Sequence, residues 1–176
     1  MIPIHMRLAE HGKQLALAGK HADALQHYRQ AMQQASDMGV PEVFMRHYTQ
    51  CALESLERMA ALDEVLATCD RARQHYVSHP PQGEVAQKDR ASFLEREGVV
   101  LLRLGRREEA RTRLNEAIAA ARPGRVPLAE TLAGWLRANL YIDKERLERE
   151  LVRQKYWSVR ADSVRAEWAL ALPQPV

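Results

Sequence analysis

Three stretches of this chain copy one another without a gap, and a chain that repeats one short pattern in order is built by stacking copies of one structural unit. The first stretch reads Leu8, Gly12, Leu15, Gly19, Ala24, Leu25, Tyr28 and Ala31. At the same steps the second has Thr49, Leu53, Leu56, Ala60, Val65, Leu66, Cys69 and Ala72, and the third has Leu94, Gly98, Leu101, Gly105, Ala110, Arg111, Leu114 and Ala117. Gly12, Leu53 and Gly98 thus stand 41 and then 45 residues apart.

Each position has a physical task. Gly12 and Gly98 remove a Cβ from one helix face so that a second helix can come close, and Gly19 and Gly105 stop the first helix in a left-handed cap. Ala24 and Ala110 open the second helix with another small contact. Tyr28 or Leu114, four residues on, fills the space between the pair, and Ala31 and Ala117 close the pattern. The second copy departs from this, with Leu53 and Val65 in place of small residues and Ala60 in place of Gly. Composition agrees with helices: apolar residues make up 46% of the chain, led by Ala and Leu, and there are only 2 Phe.

These residues resemble the tetratricopeptide repeat family, whose unit sets a small residue in mid-helix, Gly at the turn, and Ala, a large residue and Ala along the second helix. The periods here are longer than that family's commonest unit, as in the longer-helix arrays of kinesin light chains and bacterial peptide-sensing regulators. The resemblance implies an all-α fold, an α-solenoid of antiparallel helix hairpins. As a single domain, residues 1–176 would hold three tetratricopeptide-like units near 5–38, 42–78 and 85–122. Residues 127–170 would form a degenerate fourth unit and capping helix, and 171–176 a tail.

Breakers separate the copies: Gly39 and Pro41, then Pro80, Pro81 and Gly83, then Pro123, Gly124 and Pro127. A helix is expected over 128–141, with Leu128, Leu132, Trp135, Leu136 and Leu140 as its stripe and Gly134 as a close-contact point. A capping helix follows over 144–155, with Asp143 as N-cap, Leu147 and Leu151 inward, and Glu145 with Arg149 and Glu150 with Gln154 on an exposed face. Trp157, Val164 and Trp168 extend its stripe, and Pro173 and Pro175 end the chain.

Chemistry-bearing patterns are sparse. There is no Gly-rich phosphate loop, no GxSxG and no HExxH. Cys51 and Cys69 lack metal spacing and read as small buried hydrophobes. His75 and His79 have the spacing of two ligands on a helix, but Pro80 ends that helix and no third ligand is near. His11 and His27 read as packing or surface residues. The expectation is a non-catalytic protein with no cofactor and no metal. The first residues, Met1 to Arg7, lack the pattern of a secretory leader, and no segment has the apolar length of a membrane span, so a reducing cytoplasm is the expected setting.

The resemblance also selects a binding face. In tetratricopeptide arrays the first helix of each unit lines a concave groove. Carried over by register, this picks Met6, Ala9, Lys13 and Ala16 in the first unit, His47, Gln50, Glu54 and Glu57 in the second, and Ser92, Glu95, Val99 and Leu102 in the third. Lys13, His47, Gln50, Glu54, Glu57, Glu95, Val99 and Leu102 are the candidate peptide-binding residues. The lysine and asparagine with which chaperone-binding members clamp a carboxylate are absent, since Ala9 and Lys13 stand at those places. A protein or peptide client presenting basic or amphipathic residues fits this face best, which makes the chain an adaptor or a chaperone, similar in size and class to the small chaperones of bacterial type III secretion. The alternative is a regulatory or nucleic-acid-associated protein using the arginine-rich stretch 103–125; interleaved glutamates and a lack of aromatic residues count against it. Self-association through Trp135, Trp157 and Trp168 near the C-terminus is a further expectation.

Overall fold

The computed structural model describes residues 1–122 and 124–172. Among these residues the protein is all-helical, with no strand. The helices are α1 (Ile4–Leu17), α2 (His21–Asp37), α3 (Glu42–Arg58), α4 (Leu62–Ser78), α5 (Gly83–Arg103), α6 (Arg107–Ala120), α7 (Pro127–Arg137) and α8 (Lys144–Arg153), followed by two 3-10 turns at Ala161–Ser163 and Ala166–Trp168. Pro123 and the end of the expected tail, from Pro173 on, lie outside the described residues.

Two compact units make up the chain. The first is Met1–Ala61 with Trp157–Val176, and the second is Leu62–Tyr156. The division falls in the turn between α3 and α4, so the middle copy of the repeat gives one helix to each unit.

In the first unit α1 packs along α2, and α2 along α3. Leu8, Ala9, Ala31, Ala35 and Tyr48 form one buried cluster, joined at its edge by Met32, Phe44 and Leu172. Ala24, Tyr28 and Cys51 form another, joined by Leu15, Ala52 and Val159. The small residues are there for clearance. A Cβ placed on Gly12 would lie 2.7 Å from Cε1 of Tyr28, closer than packed carbon atoms come.

The second unit repeats the arrangement. Here α5 packs along α6, and α4 and α7 flank the pair. A Cβ on Gly98 would lie 2.7 Å from Cγ and Cδ2 of Leu114, so Gly98 meets Leu114 as Gly12 meets Tyr28. Gly134, expected as a third such contact, has only the Arg137 guanidinium within 3.8 Å and is no close approach.

Helix ends repeat as well. At the close of α1, the N–H of Lys20 donates to the carbonyl of Leu15 at 2.8 Å while Gly19 takes φ +76°. The same pair of features recurs at Arg106, Leu101 and Gly105, with Gly105 at φ +73°. This is the Schellman closure, which satisfies carbonyls left over at a helix C-terminus. After α3 the left-handed residue is Ala60 at φ +59°, and after α7 it is Asn139 at φ +52°. The second of these explains why α7 stops at Arg137 instead of running to Tyr141: Leu140 and Tyr141 fall beyond the cap and are exposed.

Helix α8 begins where the sequence places it, while its role as a cap is an expectation only. Asp143 accepts from the N–H of Arg146 at 2.7 Å, and Leu147 and Leu151 are buried. Glu150, expected on the exposed face, is buried instead and accepts from Arg153 and Gln154. The stripe does not continue through Trp157, Val164 and Trp168. These residues belong to the first unit, where two short 3-10 turns replace a helix.

Candidate functional site

The face made by α1 and α3 in the first unit carries five of the eight candidate binding residues. His47 and Gln50 are half-buried there, while Lys13, Glu54 and Glu57 are buried. This face is not bare, because residues 157–172 of the same chain lie against it.

Several main-chain N–H groups of this segment donate to acceptors on the helices. Glu54 accepts through Oε1 from Ser158 at 2.6 Å and through Oε2 from Val159 at 3.0 Å. Oε2 of Glu10 accepts from Arg165 at 2.6 Å, and its Oε1 holds Nζ of Lys13 at 2.8 Å. The carbonyl of Arg7 accepts from Leu170 at 3.0 Å. Nε2 of His27 accepts from Leu172 at 3.1 Å, which leaves Nδ1 as the donor to the carbonyl of Asp23. His27 is therefore an acceptor for the segment, not merely a packing residue.

Side chains add three anchors. The guanidinium of Arg58 lies 3.7 Å from the ring centre of Trp157, a cation–π contact on a buried indole. Val159 packs at the edge of the Tyr28 cluster and Leu172 at the edge of the Leu8 cluster. A cavity of about 240 Å³ remains beside the first anchor, lined by His21, Glu54, Ser55, Arg58, Trp157 and Val159 among others.

The floor under the segment is polar and electrostatically tuned. His47 is held down to about 4, first by burial and then by the charge of Lys13, against a smaller opposing pull from Glu10. Burial also pushes the Tyr28 phenol far up, helped by the charges of Cys51, Glu54 and Glu10. The Tyr28 hydroxyl is buried with no hydrogen-bond partner among the described residues.

Glu95, Val99 and Leu102 belong to α5 in the second unit. Oε2 of Glu95 accepts from the N–H of Ala129 at 3.1 Å, at the N-terminus of α7, and burial raises its carboxyl above the usual range. Val99 is fully buried, so it offers nothing to a ligand on the surface, and Leu102 is half-buried. Next to Glu95 is a cavity of about 460 Å³, whose walls include Lys88, Arg122, Arg125, Lys155 and Tyr156.

The arginine-rich stretch is largely neutralised within its own unit. Arg103 bonds Glu148 at 3.2 Å, Arg106 bonds Glu109 at 2.6 Å, and Arg113 bonds both Glu97 and Glu116. Arg122 reaches Glu84 at 2.7 Å, Arg111 lies 3.9 Å from Glu108, and Arg107 donates to the carbonyl of Leu140. Each tryptophan is also covered by an arginine: Trp135 by Arg146, Trp157 by Arg58 and Trp168 by Arg165.

Cys51 and Cys69 are buried and not joined in a disulfide. The rings of His75 and His79 stack at 4.7 Å, and no group of three or more His, Cys, Asp or Glu suited to a metal occurs among the described residues. No described helix is long and apolar enough to cross a membrane.

Repeat register alone reached Glu54 and Lys13 but missed Glu10, Arg58, His27 and the whole segment they hold. One signal for that segment is present in the chain. Val159-Arg160-Ala161-Asp162 is followed by Val164-Arg165-Ala166-Glu167, a five-residue repeat too short for helical pairing, and each copy makes one of the two 3-10 turns. No family model matches this chain, and neither a curated protein nor a solved structure matches it.

Proposed function

We propose that this chain is a non-catalytic binding module, an adaptor or chaperone of tetratricopeptide type, that holds an extended segment of a client protein on the inner face of antiparallel helix hairpins. A cytoplasmic setting suits its two buried cysteines, which form no disulfide. One observation carries the proposal. Glu54, at the register position where the family's ligands would lie, accepts two consecutive main-chain N–H groups from a largely non-helical segment. Nearly every residue carries a main-chain N–H, so an acceptor that takes such donors can hold many sequences, with side-chain anchors adding selectivity. The matched surroundings of Gly12 and Gly98, and the matched caps at Gly19 and Gly105, support the repeat architecture behind it.

The internal pairing of the arginines leaves a nucleic-acid role for residues 103–125 without a supporting observation. The test is in-cell crosslinking from a photoreactive residue placed at the half-buried Gln50, followed by mass spectrometry. A client crosslinked through a defined peptide is expected. A partnerless monomer across growth conditions would count against the proposal.

A further inference from the structure

We infer that residues 157–172 are a built-in stand-in for the client. The partner this face takes is then an extended segment with an aromatic residue at the place of Trp157, free main-chain N–H groups at the next two residues, and an aliphatic side chain at the place of Val159. This deepens the proposed function and rests on it.

Three observations carry the inference. First, five hydrogen bonds by which the helices hold the segment use its main-chain N–H groups, at Ser158, Val159, Arg165, Leu170 and Leu172. Any chain without proline at those places can offer the same donors, so the acceptors do not require this sequence. Second, the segment is bound as a ligand is bound. Of residues 157–172 only Trp157 is buried, and the others are half-buried or exposed. One buried aromatic anchor on an arginine, ringed by half-buried neighbours, is the energetic profile of a binding hot spot, not of a hydrophobic core. Third, the floor below is suited to being uncovered. Glu10 and Glu54 are buried carboxylates that water can take over when the segment leaves. A face whose cover was permanent would be free to carry apolar residues, which stabilise more and need no partner.

A tethered segment competes at a high effective concentration, in the millimolar range for a short flexible tether. A client would therefore bind the intact chain more weakly than it binds a chain whose own segment is loosened. The terminal segment thereby sets a threshold that only a client with the full pattern passes.

The experiment uses the full chain and a fluorescent peptide copying residues 157–172. Trp157→Ala loosens the internal copy, and the peptide is expected to bind that variant at least tenfold more tightly than it binds the unaltered chain. Methylating the peptide's amides at the Ser158 and Val159 places, or adding Glu54→Ala to the variant, is expected to weaken binding at least tenfold. Equal affinity for the two chains, or no binding to a folded variant, overturns the inference. Should Trp157→Ala not fold, amide hydrogen exchange of the unaltered chain decides. Faster exchange at Ser158 and Val159 than in α1 to α3 supports a displaceable segment, and exchange only through global unfolding refutes it. Crosslinks from the segment to a second copy's α3 would also refute it, by making the occupant another copy of this chain. If host clients crosslink equally to the unaltered and loosened chains, the binding module stands and this inference alone fails.

Discussion

Glu54 and Val159 are joined by a 3.0 Å hydrogen bond between a side-chain carboxylate and a main-chain amide 105 residues further along the chain. The other oxygen of the same carboxylate takes the preceding amide, so one buried side chain fixes two successive residues of an otherwise irregular segment. A charged acceptor with two donors is a strong arrangement, and it is costly to leave half made.

Removing that acceptor leaves two donors without their partner. Glu54→Ala is expected to destabilise the protein by about 1.5–3 kcal/mol, the range for hydrogen bonds to a charged group. Urea unfolding gives the magnitude. Trypsin cleavage after Arg160 and Arg165 should become faster than cleavage within the helices. Unchanged cleavage at both sites would show that Glu54 does not hold the segment.

The three mid-helix glycines, Gly12, Gly98 and Gly134, should respond to alanine in different directions. Gly12→Ala and Gly98→Ala each drive a Cβ to within 2.7 Å of a packed side chain, at a cost of about 1–3 kcal/mol. Gly134→Ala meets nothing nearer than 3.8 Å and should stabilise by about 1 kcal/mol through helix propensity. Thermal melts of the three variants check this, and a common sign for all three would contradict it.

Tyr28→Phe keeps the ring that fills the space beside Gly12 and deletes a buried hydroxyl that has no hydrogen-bond partner among the described residues. Stability is expected to hold or rise by up to about 1 kcal/mol. A loss above that in urea unfolding would reveal a bond made by the hydroxyl in solution.

Ala60 is the non-glycine left-handed cap of the middle copy, at φ +59°. A side chain there costs roughly 1–2 kcal/mol that glycine avoids. Ala60→Gly should therefore raise stability by about 1 kcal/mol, after allowing for the added freedom of glycine in the unfolded chain. The urea midpoint is the measurement, and a lowered midpoint would contradict the expectation.

Stability should fall in mild acid. His47 is held down to about 4 from an ordinary value of 6.5, and burial lowers His5, His11 and His21 as well. Below pH 6.5 the unfolded chain gains protons on these imidazoles that the folded chain refuses, so stability rises with pH across this window. The contribution is complete above 6.5, shrinks as pH falls, and levels off near 4 for His47. At about 1.4 kcal/mol for each pH unit of displacement, His47 alone accounts for up to about 3 kcal/mol. Urea midpoints at pH 7.5 and pH 5 should differ in that sense, and His47→Gln should reduce the difference. Equal midpoints would exclude the effect.

Helix positions and their ends were largely legible before any coordinates, because their causes are local. Glycine at a cap, proline at a break and Asp143 at an N-terminus act within a few residues, as at Gly19, Gly105 and the start of α8. Gly12 with Tyr28 was legible for a related reason, since its counterpart pair recurs downstream at Gly98 and Leu114. Short-range signals also misled where a left-handed residue was not glycine, as at Asn139, which ends α7 early.

What the amino-acid order determined alone is an all-helical chain and the spacing of its close contacts at Gly12 and Gly98. Tertiary structure decided what lies on the face of α1 and α3 and which carboxylate meets which amide. The reason is physical: an acceptor such as Glu54 is written in a side chain, but its donors at Ser158 and Val159 are main-chain N–H groups that nearly every residue carries. Only the folded path of the chain selects among them.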